Sequence, residues 1–253
     1  MTEMTSYEPG TPSWVDIGVP DIGAALGFYS ALFGWEGEDM GEEAGHYTMC
    51  KLRGKSVAAL GPAMNPGPPA WTTYITVASV DETAARIAEA GGTIVAPPMD
   101  VMEAGRMAVA TDPTGAFFSI WEPRASIGAE IVNEPGTLCW NELNSRDVDT
   151  ALTFYETVFG LKAQRSEMYN EFHLGDRVVG ACMPMPEMVP AEVPSFWMVY
   201  FAVADIEAST EQAKSLGATA MVELMEAGDV GRFSVLSDPM GAAFSIIQLN
   251  NPE

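Results

Sequence analysis

The chain is short of positive charge and almost without histidine. Of its 253 residues only 12 are Lys or Arg, against 35 Asp or Glu, and the formal net charge is −23. A surface of that sign repels phosphate backbones and anionic headgroups, so neither nucleic acid nor a membrane is an expected partner. The ordinary reading of such a balance is a solvated acidic shell. The two histidines, His46 and His173, lack the spacing of a helical or strand pair and make a poor start for a metal centre. Three cysteines, Cys50, Cys139 and Cys182, are an odd number with no paired spacing. They read as buried or semi-buried thiols, not as a disulfide framework. No apolar run approaches the length of a membrane span, and no basic n-region leads into an apolar stretch, so a cytoplasmic protein is expected.

What the chain does have is itself, twice. Gly10-Thr11-Pro12-Ser13-Trp14-Val15-Asp16 returns as Gly136-Thr137-Leu138-Cys139-Trp140-Asn141-Glu142, an offset of 126 residues. Phe28-Tyr29 matches Phe154-Tyr155, Phe33-Gly34 matches Phe159-Gly160, and Tyr74 matches Tyr200. Gly105-Arg106 matches Gly231-Arg232, and Asp112-Pro113-Thr114-Gly115 matches Asp238-Pro239-Met240-Gly241. The offset survives because a shortening of five residues after Gly160 is cancelled by a lengthening of five before Trp197. Such a repeat, in a chain 47% apolar, gives two domains, 8–124 and 136–249, joined by a Pro-bounded linker over 125–135.

Within each copy short strands alternate with amphipathic helices. Val15, Ile17 and Val19 fall on one face of a strand, Trp14 and Asp16 on the other, which is period two. Ala25, Leu26, Tyr29 and Phe33 recur at helical spacing over 22–33, and Gly34 ends that helix. Strands over 47–52 and 56–60 follow, then a Pro/Gly-rich loop over 61–69. The cycle restarts with a strand at 71–77, a helix at 80–90, and strands near 93–96, 107–111 and 116–121. The Asp-Pro-Thr-Gly sequence before the last strand is a hairpin turn. Each copy therefore reads as two βαβββ units, an α+β architecture.

That order, with the opening Trp14-Val15-Asp16-Ile17-Gly18-Val19-Pro20-Asp21 running into Phe28-Tyr29 and Phe33-Gly34, resembles the vicinal oxygen chelate superfamily. Glyoxalase I, bleomycin-resistance proteins and extradiol dioxygenases belong to it. More narrowly, the chain is similar to actinobacterial tandem members of that superfamily, a mycobacterial antigen and antibiotic-pathway hydroxylase homologues among them. The resemblance covers nearly the whole chain and implies four βαβββ units in two tandem glyoxalase-like domains, with curved mixed sheets around a cleft. It does not carry a function, because this fold hosts isomerases, dioxygenases, thiol transferases and binding proteins.

Metal-using members place His, Gln or Glu ligands on the central strands of the cleft. Carried over, those positions fall on Trp14, near Ala59, near Thr72 and on Ser119, and in the second copy on Trp140, about Gly180, Met198 and Ser245. None is a good ligand for a divalent cation, so no metal and no cofactor is expected. Read by alternation, the inward register offers Trp14, Asp16, Thr72, Tyr74, Ser119 and Trp121 in the first copy. In the second it offers Trp140, Glu142, Met198, Tyr200, Ser245 and Ile247. Aromatic walls with one acid and a few hydroxyls suit a flat apolar ligand. They equally suit tryptophans that fill a cleft for packing. Asp16 and Glu142 are candidate general bases if burial raises their pKa values, and otherwise plain hydrogen-bond partners. Arg106 and Arg232 read as structural ion pairs within each domain.

Three functions stay open at this point. One is a metal-free protein that binds a small hydrophobic, aromatic metabolite or antibiotic. Another is a metal-independent enzyme, an isomerase, cyclase or oxygenase accessory, with Asp16 or Glu142 as base. The third is a metal-dependent glyoxalase or dioxygenase, which the missing ligands argue against. Two copies packed about a pseudo-twofold axis would imitate a dimer, so a monomer or weak homodimer is expected.

Overall fold

The computed structural model describes residues 2–63, 67–166 and 168–250. In the first copy β1 (Thr2–Glu3) and β2 (Pro12–Val19) lead into α1 (Ile22–Phe33), followed by β3 (Glu36–Asp39), β4 (Thr48–Leu52) and β5 (Lys55–Pro62). A second unit follows: β6 (Trp71–Thr76), α2 (Val80–Glu89), β7 (Thr93–Val101), β8 (Gly105–Thr111) and β9 (Phe117–Pro123). After β10 (Ile131–Val132) the pattern recurs with β11 (Leu138–Ser145), α3 (Val148–Phe159), β12 (Lys162–Gln164), β13 (Asn170–Leu174) and β14 (Arg177–Pro184). The last unit is β15 (Phe196–Ala202), α4 (Ile206–Ser215), β16 (Thr219–Glu226), β17 (Gly231–Ser237) and β18 (Ala243–Leu249).

Each copy forms one open, mixed, eight-stranded sheet, in the orders β3-β4-β5-β2-β6-β9-β8-β7 and β12-β13-β14-β11-β15-β18-β17-β16. Within a unit the opening and closing strands pair in parallel, β2 with β5 and β6 with β9, while β2 and β6 join the two units antiparallel. Helix boundaries follow local chemistry. Asp21, Ser79, Asp147 and Asp205 each accept a hydrogen bond at an N-cap, and Gly34 and Gly160 close α1 and α3 in the left-handed region.

The two hydrophobic cores do not belong one to each copy. Val15, Phe28, Tyr29 and Phe33 pack with Phe201, Ile206, Phe244 and Ile246 in one, while Ile75, Ile87 and Phe118 pack with Leu143, Phe154, Tyr155 and Phe172 in the other. Units one and four thus share a core, as do two and three. A buried polar pair fastens each. The Tyr29 hydroxyl donates to Asp238 Oδ2 at 2.8 Å, and the Tyr155 hydroxyl donates to Asp112 Oδ2 at 3.2 Å. The other carboxylate oxygen of each Asp accepts backbone N–H groups of its own hairpin turn. One side chain therefore shapes the turn and ties the copies together. The arginines expected in ion pairs have them, Arg106 with Asp81 and Asp100, and Arg232 with Glu207.

The segment expected as a linker does more than join. Ala129 N–H donates to Ser13 O at 2.8 Å and Glu130 N–H donates to Ser56 O at 2.8 Å, so the chain wedges between the diverging ends of β2 and β5. Ala129 faces the cluster of Trp14, Tyr74 and Trp121, while Ile131 points into the shared core. β1 pairs with β10 along its outer side, and the Tyr7 hydroxyl donates to Ala129 O at 2.6 Å. Gly128 makes the wedge possible. Its φ is +103°, and a Cβ there would sit 2.4 Å from Ser13 O. Gly128→Ala should therefore destabilise by more than about 1 kcal/mol, read as a lower urea midpoint at unchanged m-value. An unchanged midpoint would mean that the wedge is not docked.

Among the described residues no helix is long and apolar enough to cross a membrane.

Candidate functional site

Side chains from the face of each sheet opposite the shared cores converge on one carboxylate. In the first copy Trp14, Tyr74 and Ser119 lie in register across β2, β6 and β9, with Asp16 and Thr72 paired one step along. The Tyr74 hydroxyl donates to Asp16 Oδ2 at 2.7 Å, the Tyr47 hydroxyl donates to the same oxygen at 2.9 Å, and Trp14 Nε1–H donates to Tyr47 at 3.2 Å. The second copy repeats the chain of contacts. Trp140 Nε1–H donates to the Tyr169 hydroxyl at 2.8 Å, and the Tyr200 hydroxyl donates to Glu142 Oε1 at 3.0 Å. Tyr169 lies close enough to Glu142 to favour its charged form. The unit is Trp–Tyr–acid–Tyr, on both faces.

Burial raises the acids. The Asp16 carboxyl is pushed up to about 6 by desolvation, partly offset by hydrogen bonds from Tyr74, Tyr47 and Thr72. Glu142 is raised by the same cause, offset by Tyr200, Tyr169 and Asn144. All four tyrosines are raised, burial first and the neighbouring acid second, so each remains a neutral donor. At the floor, the Ser119 and Ser245 hydroxyls are 1% and 0% exposed and have no hydrogen-bond partner among the described residues. Each lies beside a tyrosine hydroxyl, Tyr74 and Tyr200 respectively.

Every inward residue expected from alternation lies on these faces. Trp14, Tyr74 and Trp121 cluster together, as do Trp140, Met198, Tyr200 and Ile247. Tyr47 and Tyr169 were not foreseen, because at an offset of 126 Tyr47 falls opposite His173. The two-residue hairpins after β4 and β13 are 53–54 and 175–176, so the second copy is shorter by four residues there, not five. With that offset of 122, Tyr47 matches Tyr169. The same correction replaces Gly180 by Ala181, which pairs with Glu142 as Ala59 pairs with Asp16. The Met-rich stretch after β14 is latched by Arg146, whose Nη2–H donates to Pro190 O at 2.5 Å and to Val193 O at 3.1 Å. It leaves Met188 exposed at the surface.

A model of the Glyoxalase/Bleomycin resistance protein/Dioxygenase superfamily matches residues 11–120 and 131–246. The chain belongs to that superfamily. It is 43% identical over 262 residues to CFP32 of Mycobacterium tuberculosis (strain CDC 1551 / Oshkosh), whose name includes the word glyoxylase, covering 98% of each chain. It is 35% identical to the anthracycline biosynthesis protein DnrV of Streptomyces peucetius, covering 97% of this chain and 96% of that one. Among solved structures, the Mn(II)-bound glyoxalase from Novosphingobium aromaticivorans superposes with a TM-score of 0.67 at 18% identity, covering 97% of this chain and 86% of that one. The 2,3-dioxygenase LapB from Pseudomonas sp. KL28 gives 0.65 at 14%, with 98% and 93% covered. These last two speak for the fold alone.

The donors on this superfamily member's sheet faces do not fit a divalent metal. The central-strand positions carry two indoles, two alanines, a thioether, two serines and Thr72, beside one carboxylate per face. Among the described residues no group of three or more His, Cys, Asp or Glu could hold an ion. Asp39 and Glu171, the carboxylates nearest to the two histidines, bind His46 and His173 singly.

Proposed function

We propose that this chain binds a small, flat, aromatic metabolite on its sheet faces without a divalent metal. The observation that carries the proposal is the Trp–Tyr–acid–Tyr unit on both faces. An indole fixed by its N–H offers a stacking plane, and the acid–tyrosine pair with the unpartnered serine offers hydrogen bonds to a ligand hydroxyl or carbonyl. The relative named for anthracycline biosynthesis supports a polycyclic aromatic as the ligand class. The acidic surface supports a role without nucleic acid or membrane partners, and the shared cores support a monomer as the working unit.

A second reading is favoured by the raised acids. A carboxylate whose pKa nears 6 inside apolar walls is a competent general base, so the same site supports metal-independent isomerisation or cyclisation. In that reading the acid takes a proton from the ligand and a neighbouring tyrosine hydroxyl steadies the oxygen where charge collects.

Quenching of tryptophan fluorescence by 1,4-dihydroxyanthraquinone, with and without EDTA, tests the proposal. Saturable binding that chelation leaves within roughly twofold is expected. Binding that vanishes with EDTA and returns with one equivalent of a divalent ion would overturn it. Glu142→Gln then separates the readings: turnover lost with affinity kept supports the enzyme, and no turnover to lose supports the binder.

A further inference from the structure

The two sheet faces carry the same Trp, Tyr, acid and Tyr but not the same space above them. In the first copy the wedge of 128–131 fills the gap between β2 and β5 and sets Ala129, 0% exposed, against Trp14 and Trp121. Trp121 is itself tucked under that segment, its Nε1–H donating to Ser126 O at 3.0 Å. Among the described residues no segment takes the corresponding place between β11 and β14. The gap differs on its core side too, since Val179 is half-buried against one shared core whereas its counterpart Val57 is fully buried in the other. Where the first copy has Trp121 the second has Ile247, a smaller side chain in the same register. The indoles differ in the same sense, because Trp14 is buried and Trp140 only half-buried.

We infer that the second face alone receives the ligand, stacked on Trp140, and that the first is occupied by the protein's own chain. The inference rests on the aromatic-binding reading and says which of two similar sites performs it. One observation pulls the other way: Asp16 is half-buried while Glu142 is buried. The two acids differ in one cross-strand neighbour. Thr72 pairs with Asp16, whereas the longer Met198 pairs with Glu142. A thioether on an unbranched side chain is the easiest apolar group to move, so Met198 acts as a yielding cover that a ring displaces to reach Glu142. On the first face Ala129 is fixed against Trp14 and Trp121, its N–H donating to Ser13 O and its carbonyl accepting from the Tyr7 hydroxyl. The indole wall, not the acid, decides where a flat ring fits.

The test uses the full chain labelled with 5-fluorotryptophan, its six indole resonances assigned by single Trp→Phe replacements. A soluble nitroxide reports which indoles meet solvent, and 1,4-dihydroxyanthraquinone reports which meet the ligand. The expected result is that Trp140 is broadened by the nitroxide and shifted by the dye, with Trp14 silent to both. Ile247→Trp, which imports the first copy's residue, should weaken dye binding roughly tenfold or more. If that variant does not fold, the wild-type resonances still decide. Equal broadening of Trp14 and Trp140, or a dye-induced shift at Trp14, would overturn the inference and leave the aromatic-binding reading intact. Broadening at Trp140 without any dye shift would support the unequal faces while removing the aromatic-binding reading.

Discussion

Phe244→Ala should cost about 3–5 kcal/mol and weaken both copies together. Phe244 is 0% exposed, and its ring meets those of Phe28, Tyr29, Phe33 and Phe201 at centroid distances of 6.1, 5.7, 6.3 and 6.4 Å. Three of those four neighbours come from the other copy. Removing the ring leaves a cavity that neither copy closes alone, because the walls are a helix from one and strands from the other. Hydrogen exchange in increasing urea, read separately for the amides of β2 and β11, checks this. Both sets should lose protection by the same amount, in one transition. Loss confined to the second copy would show that the copies unfold independently. Phe117→Ala is the control. That side chain is 53% exposed, and its loss should cost under about 1 kcal/mol.

The shared cores also explain what was legible in the sequence and what was not. Helix α1 was readable because apolar spacing over 22–33 and the closing Gly34 agree there, and in the structure Asp21 caps its first turn. β7 runs to Val101, past the stretch expected near 93–96, although it contains Pro97 and Pro98. It lies at a sheet edge, where a missing N–H costs little. β3 was passed over because Glu36–Asp39 is exposed throughout and carries no alternation to find. Periodicity says that a face is buried but not what buries it. Phe28 and Phe244 could not be matched across 216 positions by any pattern in the chain. The same limit hid the second role of Asp112 and Asp238. Their turn chemistry is local and readable, while their tyrosine partners lie in the other copy. At the site, alternation gave the strand residues, and the two tyrosines from outside the central strands escaped it because the repeat changes length just before them.

Asp16→Asn should make the protein more stable at neutral pH and leave it nearly unchanged near pH 4. The carboxyl is raised from its ordinary 3.8 to about 6, chiefly by burial, so the native state holds this proton more tightly than the unfolded chain does. Below both values the group is protonated in either state and contributes no difference. As pH rises through the window between them, the unfolded chain releases the proton first and stability falls; above it the loss is complete. For a half-buried group the loss amounts to about 2–3 kcal/mol. An Asn carbonyl can still accept from the Tyr47 and Tyr74 hydroxyls, which both donate to one oxygen, and it carries no charge to desolvate. Thermal melts of wild type and variant from pH 4 to pH 7.5 should therefore diverge upward through that window, the variant melting higher at the neutral end. A wild type that gains on the variant as pH rises would mean that the tyrosines hold the anion more strongly than burial penalises it. The carboxyl would then sit below 3.8, and Asp16 would be a poor base near neutrality. The melts thus judge the electrostatics of the Trp–Tyr–acid–Tyr unit without any ligand in hand.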